Sequence, residues 1–137
     1  MLDVELIGLE QPTVELRPAE LRELCELALA SAGVDSGHVA LVFVEADEIA
    51  RLNAKHRGID GPTDVLSFPL DGAEPAAGPR ELGDIVICPA HTEDLREAVV
   101  HGALHLGGMD HERDHGEMLI LQRELLGWTS GTSRATQ

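Results

Sequence analysis

Apolar and polar residues alternate with a period of two over "DVELIG" (3–8), which predicts a half-buried strand. The period lengthens in "RPAELRELCELALASAG" (17–33), where Leu21, Leu24, Leu27 and Ala28 fall on one helical face. Pro18 stands at its entrance and Gly33 at its exit, the asymmetry expected of helix ends. "HVALVFVE" (38–45) is apolar and β-branched, as a buried strand is. "ADEIARLNAKHRG" (46–58) returns to helical spacing, acidic early and basic late in agreement with the helix dipole, and Gly58 closes it.

"DGPTDVLSFPL" (60–70) is a turn feeding a short strand between Pro62 and Pro69. "DGAEPAAGPREL" (71–82) has the small, Pro- and Gly-rich composition of a mobile surface loop. "GDIVICP" (83–89) is the next strand. "TEDLREAVVHGALHLGG" (92–108) is a helix with Thr92 as N-cap, ended by Gly107 and Gly108. "ERDHGEMLILQRELLGW" (112–128) is a last helix despite Gly116, and "TSGTSRATQ" (129–137) is a flexible polar tail. The order strand, helix, strand, helix, strand, strand, helix, helix predicts one α/β (α+β) domain over 1–128, a small mixed sheet packed with helices. No internal repeat interrupts it.

The length, 137 residues, suits a single core, and the 2% aromatic content leaves that core to Leu, Val, Ile and Ala. No apolar run reaches membrane-span length, and the acidic N-terminus lacks the basic flank of a signal peptide, so a cytoplasmic location with no membrane partner is expected. Cys25 and Cys88 form no CxxC pair and read as small buried residues. A net charge of −15 argues against general nucleic-acid binding. Its distribution changes that picture. Arg51, Lys55 and Arg57 gather in "RLNAKHR", the one place where a cationic spot is expected.

The chemistry concentrates in "HGALHLGGMDH" (101–111). His101 and His105, at i and i+4, project from one helical face. Gly107 and Gly108 permit φ > 0, and the returning chain would deliver His111 as a third ligand. Three histidines with an open fourth position form a catalytic rather than a structural zinc arrangement. The spacing is that of the HExxHxxGxxH metalloproteases, but Gly102 stands where their general-base Glu belongs. Three neutral imidazoles leave the charge of the ion unneutralised, a site that lowers the pKa of bound water to about 7 and attracts an anionic phosphodiester.

"LNAKHRGIDGPTDVLSFP" (52–69), "LGDIVI" (82–87) and "HGALHLGGMDH", in this order, strongly resemble the YbeY family of ribosomal-RNA-processing endoribonucleases over most of residues 38–126. The resemblance implies metal-dependent cleavage of single-stranded RNA. It also implies a role in ribosomal RNA maturation at the 16S 3′ end and in ribosome quality control. The partners implied are ribosomal RNA and the small ribosomal subunit with its proteins, not DNA. His101, His105 and His111 match the family's ligands, which hold one ion, usually Zn2+, with other divalent transition metals possible. Arg57 matches a functional arginine. Thr63, Asp64, Ser67 and Phe68 match a signature lining the same cleft, and Asp84 the aspartate of the "LGDI" strand. The usual "HLLGYDH" is "HLGGMDH" here, so Gly107 and Met109 replace Leu and Tyr, and the segment before His101 is shorter than is typical.

Residue by residue, alternatives stand beside these roles. Arg57 can steady charge developing on a phosphate, or serve the helix dipole. Asp64 can accept a proton or orient an imidazole, or it can cap a turn. Asp110 reads as a partner of the glycine-turn backbone, and His115, four residues after His111, as part of a solvated helix face. A metal hydrolase of peptides or small esters, and a ribosome-associated binding module with a structural metal, are the rival functions. For the latter, Asp110, Glu112 or His115 would supply the fourth ligand.

Overall fold

The computed structural model describes residues 2–9, 16–70 and 80–134, with side chains described as far as 127. Its elements are β1 (Leu2–Ile7), α1 (Pro18–Ser31), β2 (Gly37–Phe43), α2 (Ala46–Arg57), β3 (Val65–Pro69), β4 (Glu81–Ile87), α3 (Leu95–Leu106) and α4 (Glu117–Arg134). One sheet runs β1-β2-β4-β3; β1, β2 and β4 are parallel and β3 is antiparallel to β4. The chain is therefore a mixed α/β fold, as the element order predicts.

Strand parity assigns the two faces. Val4, Val39, Leu41, Phe43, Ile85 and Ile87 turn towards α1, α3 and α4 and build the main core. Leu66, Val86 and Cys88 turn the other way, onto Ile49 and Leu52 of α2. Burial on both faces explains why β2 and β4 read as continuous apolar runs. α3 is the central helix, burying Val99, Val100, Ala103 and Leu104 completely. Val99, Val100 and Leu104 each contribute about 1.5–3 kcal/mol by that burial.

Several boundaries differ from the sequence reading. On α1 the buried face is Leu21, Leu24, Cys25, Ala28 and Leu29, while Leu27 lies at its edge. β4 starts at Glu81, inside the segment expected to be loop; 71–79 lie outside the described residues. The N-cap of α3 is Asp94, whose carboxylate accepts from Arg96 N and Glu97 N, not Thr92. A short 3-10 turn, Pro89–His91, precedes α3, and the Thr92 hydroxyl donates to Cys88 O at 2.7 Å within it. α4 starts at Glu117 because Gly116 takes φ 99°, breaking the helix, and the Asp114 carboxylate accepts from Gly116 N and Met118 N. Both cysteines are buried and free, and burial pushes the Cys25 thiol up to about 12.

The end of the sheet that α2 leaves uncovered is tied by His38. Its ring meets Glu81 and Glu5, joining β4, β2 and β1 through side chains. The Glu81 hydrogen bond, then that to Glu5, holds His38 above the usual imidazole range. Among the described residues no helix is long and apolar enough to cross a membrane.

Candidate metal centre

α3 carries two of the three histidines and is fixed in rotation by Gly102. A Cβ at Gly102 would lie 2.6 Å from Ile85 Cγ2 and 3.0 Å from Val65 Cγ2, so the glycine face rests directly on the sheet. Ser67 reinforces the contact by donating to Gly102 O at 2.8 Å. With that face inward, His101 and His105 look into a cavity of about 670 Å3. α3 begins only about one and a half turns before His101, in keeping with the shortened segment.

The third histidine arrives through a Schellman ending. Gly108 N donates to His105 O and Met109 N to Leu104 O, with Gly108 at φ 104°. Gly107, expected to share the positive φ, is at −76°. Its lack of a side chain serves packing instead, since a Cβ there would lie 2.7 Å from Ala32 Cβ of α1. Asp110 then accepts from Glu112 N, one turn beyond the glycines to which the sequence reading assigns it.

The imidazole centroids of His101, His105 and His111 are 4.7–5.3 Å apart. One ring nitrogen from each lies within 4.8 Å of the others, so the three could hold one metal ion. Two of the rings are oriented by acceptors. His105 Nδ1 donates to Met109 O at 3.0 Å and His101 Nδ1 to Gln122 Oε1 at 2.7 Å, which leaves each Nε2 with its lone pair free. Burial, then the neighbouring His101 and His111, lowers the pKa of His105 and favours the neutral form that a ligand needs. No fourth His, Cys, Asp or Glu joins the group among the described residues; His115 is exposed in the loop, its N–H donating to Glu117.

Arg57, the last residue of α2, borders the same cavity. The chain leaves α2 through Gly58 in the left-handed region, and Asn53, 2% exposed, donates from Nδ2 to Gly61 O at 2.9 Å. That bond holds the connection bringing Thr63 and Asp64 to the cavity wall. Asp64 Oδ1 accepts from Val65 N at 2.8 Å and from the Thr63 hydroxyl, so the carboxylate is engaged in the turn rather than with an imidazole. Ser67 borders the cavity, whereas Phe68 does not. One residue further along β3, Phe68 points to the opposite face and packs edge-on against His56 at 4.8 Å. Asp84 pairs with Phe68 across β3 and β4 and is likewise exposed away from the cavity.

Glu97 and Gln122, which no motif flagged, also line the cavity. For Gln122 a signal existed. Met118, Leu121 and Leu125 turn the same face of α4 inward, and a polar residue among them needs a partner.

The chain matches the family described as "Endoribonuclease YbeY" over residues 7–128. It is 41% identical over 129 residues to Endoribonuclease YbeY of Rubrobacter xylanophilus, covering 90% of this chain and 93% of that one. Its identity to the Salinispora tropica protein of the same name is 39% over 133 residues, covering 78% and 85%. The solution structure of TM1509 from Thermotoga maritima is similar in fold, with a TM-score of 0.55 and 28% identity over 97% of this chain and 93% of that one.

Proposed function

Because the chain belongs to the YbeY family of endoribonucleases, we propose that it cleaves single-stranded RNA at the His101–His105–His111 centre with one zinc ion. The observation that carries this reading is the convergence of three imidazole nitrogens within 4.8 Å on a cavity that Arg57 also borders. The donor set fits a single borderline-soft ion with an open coordination position. Bound there, the ion supplies Lewis acidity to a phosphoryl oxygen and lowers the pKa of a water.

The chain's own residues do the rest. Arg57 donates to a non-bridging phosphate oxygen and steadies charge developing there. Asp64, one of whose carboxylate oxygens accepts from Val65 N and the Thr63 hydroxyl, takes up a proton at the other oxygen in this reading. Net charge of −15 does not forbid an RNA substrate, because exposed charges beyond a Debye length of about 8 Å are largely screened. In the cavity a phosphate meets the ion and Arg57 together with the carboxylates of Asp64, Glu97, Asp110 and Glu112, whose charge the ion and Arg57 offset. The biological setting we assign is cytoplasmic maturation of ribosomal RNA, at the 16S 3′ end, and ribosome quality control, in association with the small subunit.

The rival readings have less support. Peptide hydrolysis of the HExxH kind needs a carboxylate at position 102, and that position rests on Ile85 and Val65 with no room for one. A purely structural metal calls for a fourth protein ligand, and none stands with the triad among the described residues.

The test is zinc binding and cleavage of a single-stranded RNA by the purified protein, alongside His105→Ala and Arg57→Ala. His105→Ala should lose both metal and cleavage. Arg57→Ala should keep the metal and lose roughly a hundredfold or more in rate, as removal of a charge-stabilising donor does. Cleavage at full rate by His105→Ala would place the activity elsewhere.

A further inference from the structure

We propose that Gln122 is a positioning residue of this centre, holding His101 from α4 in the tautomer whose Nε2 faces the ion. The inference rests on the metal-binding reading above and extends it to a residue outside the ligand set.

An amide oxygen only accepts, so the 2.7 Å contact from His101 Nδ1 to Gln122 Oε1 puts the ring hydrogen on Nδ1. Nε2 then carries the lone pair. An imidazole without such a partner exchanges its hydrogen between the two nitrogens, and each molecule with Nε2–H cannot offer Nε2 as a ligand. The two oriented rings are held differently. His105 is set by the main-chain oxygen of Met109, delivered by the same turn that returns His111. His101 is set by a side chain 21 residues further along, on a different helix.

That helix is well anchored for the purpose. Met118, one turn before Gln122, and Leu125, about one turn after it, are both fully buried. Gln122 therefore projects from a stretch of α4 that packing holds in place, and it borders the cavity itself. An amide also suits an anionic substrate. Glu97 and Glu112 already line this cavity, and a neutral acceptor orients the ring without adding a further negative charge beside the ion.

The experiment compares wild type, Gln122→Leu, Gln122→Glu and His105→Ala. Zinc affinity is read by competition with a chromophoric chelator. The His101 tautomer is read from ring-nitrogen NMR of the metal-free protein above the imidazole titration range. Gln122→Leu should lose about 10–100-fold in zinc affinity and its His101 should shift towards Nε2–H, while Gln122→Glu keeps both within about threefold of wild type. Circular dichroism checks that the metal-free variants are folded. Should leucine unfold the chain, Gln122→Met, of similar length with only a weak thioether acceptor, takes its place in both readings.

Gln122→Leu binding zinc as wild type does, or retaining Nδ1–H on His101, overturns the inference. Loss of affinity in Gln122→Glu does so too, because a carboxylate oxygen supplies the same acceptor to His101 Nδ1 as the amide oxygen. Absence of zinc binding in wild type itself would count against the metal reading, and the metal-free tautomer would still decide whether Gln122 positions His101.

Discussion

Replacing Gly102 by Ala gives the sharpest test of how α3 is seated. On a solvent-facing helical surface this change stabilises by about 1 kcal/mol, because alanine is the better helix former. Here the new Cβ would sit 2.6 Å from Ile85 Cγ2 and 3.0 Å from Val65 Cγ2. Ordinary carbon contacts begin at about 3.5 Å, so the helix or the sheet must yield by close to 1 Å. Overpacking of this kind costs about 1–3 kcal/mol. Moving α3 away also strains the 2.8 Å Ser67–Gly102 bond, at about 1 kcal/mol. The propensity gain offsets roughly one of these, leaving a net loss of about 1–3 kcal/mol. In a thermal melt of the metal-free protein that is a fall of roughly 3–12 °C for a domain of this size. Gly127→Ala is the internal control. It lies in α4 with nothing within 4 Å of its would-be Cβ, and it should raise the midpoint by a few degrees. If Gly102→Ala raised the midpoint as Gly127→Ala does, the glycine would not be seating α3. The physical objection to a peptidase glutamate at that position would fall with it.

The glycine preceding the positive-φ turn makes a related prediction. Gly107→Leu, which restores the family's usual residue, should destabilise the chain by about 1–3 kcal/mol in urea because of Ala32 Cβ at 2.7 Å. Made in an Ala32→Gly background, the same change should cost about half as much or less; equal costs in the two backgrounds would show that the contact is not the reason for the glycine. His38 gives a pH-dependent effect. Its folded pKa lies above the unfolded value, so its clasp on Glu81 and Glu5, with Asp3 nearby, stabilises below about 6.5 and fades as pH rises through the raised value. The His38 side chain is 22% exposed and both glutamates more than half exposed, which limits the effect to about 1 kcal/mol. The stability gap between wild type and His38→Gln should thus be larger in mild acid than in mild alkali, and a gap that widens with pH would contradict this assignment.

The acidic side chains of the chain divide between the two faces of the sheet. Acidic side chains dominate the open end of the sheet around Asp3, Glu5, Glu81 and Asp84, on the face opposite the histidines. Arg57 stands on the histidine side, brought there because α2 ends at Gly58 and Asn53 pins the following turn. Asp64, Glu97, Asp110 and Glu112 nevertheless line the cavity together with Arg57, so the histidine face carries negative charge of its own.

The order and type of the elements, the apolar faces of the strands and the three-histidine turn are legible in the spacing of residues along the chain. These are local properties, written in the spacing of neighbouring residues and in the freedom of Gly108 to take positive φ. The N-cap of α3 is not legible in the same way, because Thr92 and Asp94 both suit the role locally, and the 3-10 turn at Pro89 decides between them by engaging Thr92. Tertiary structure alone decided the rest. Strand register put Ser67 at the cavity and Phe68 behind the sheet. The approach of α1 to α3 explained Gly107, and the contact of α3 with β3 and β4 explained Gly102. The docking of α4 brought Gln122 to His101. Each of these is a contact between residues far apart in the chain, and no periodicity encodes such a contact until the elements are packed.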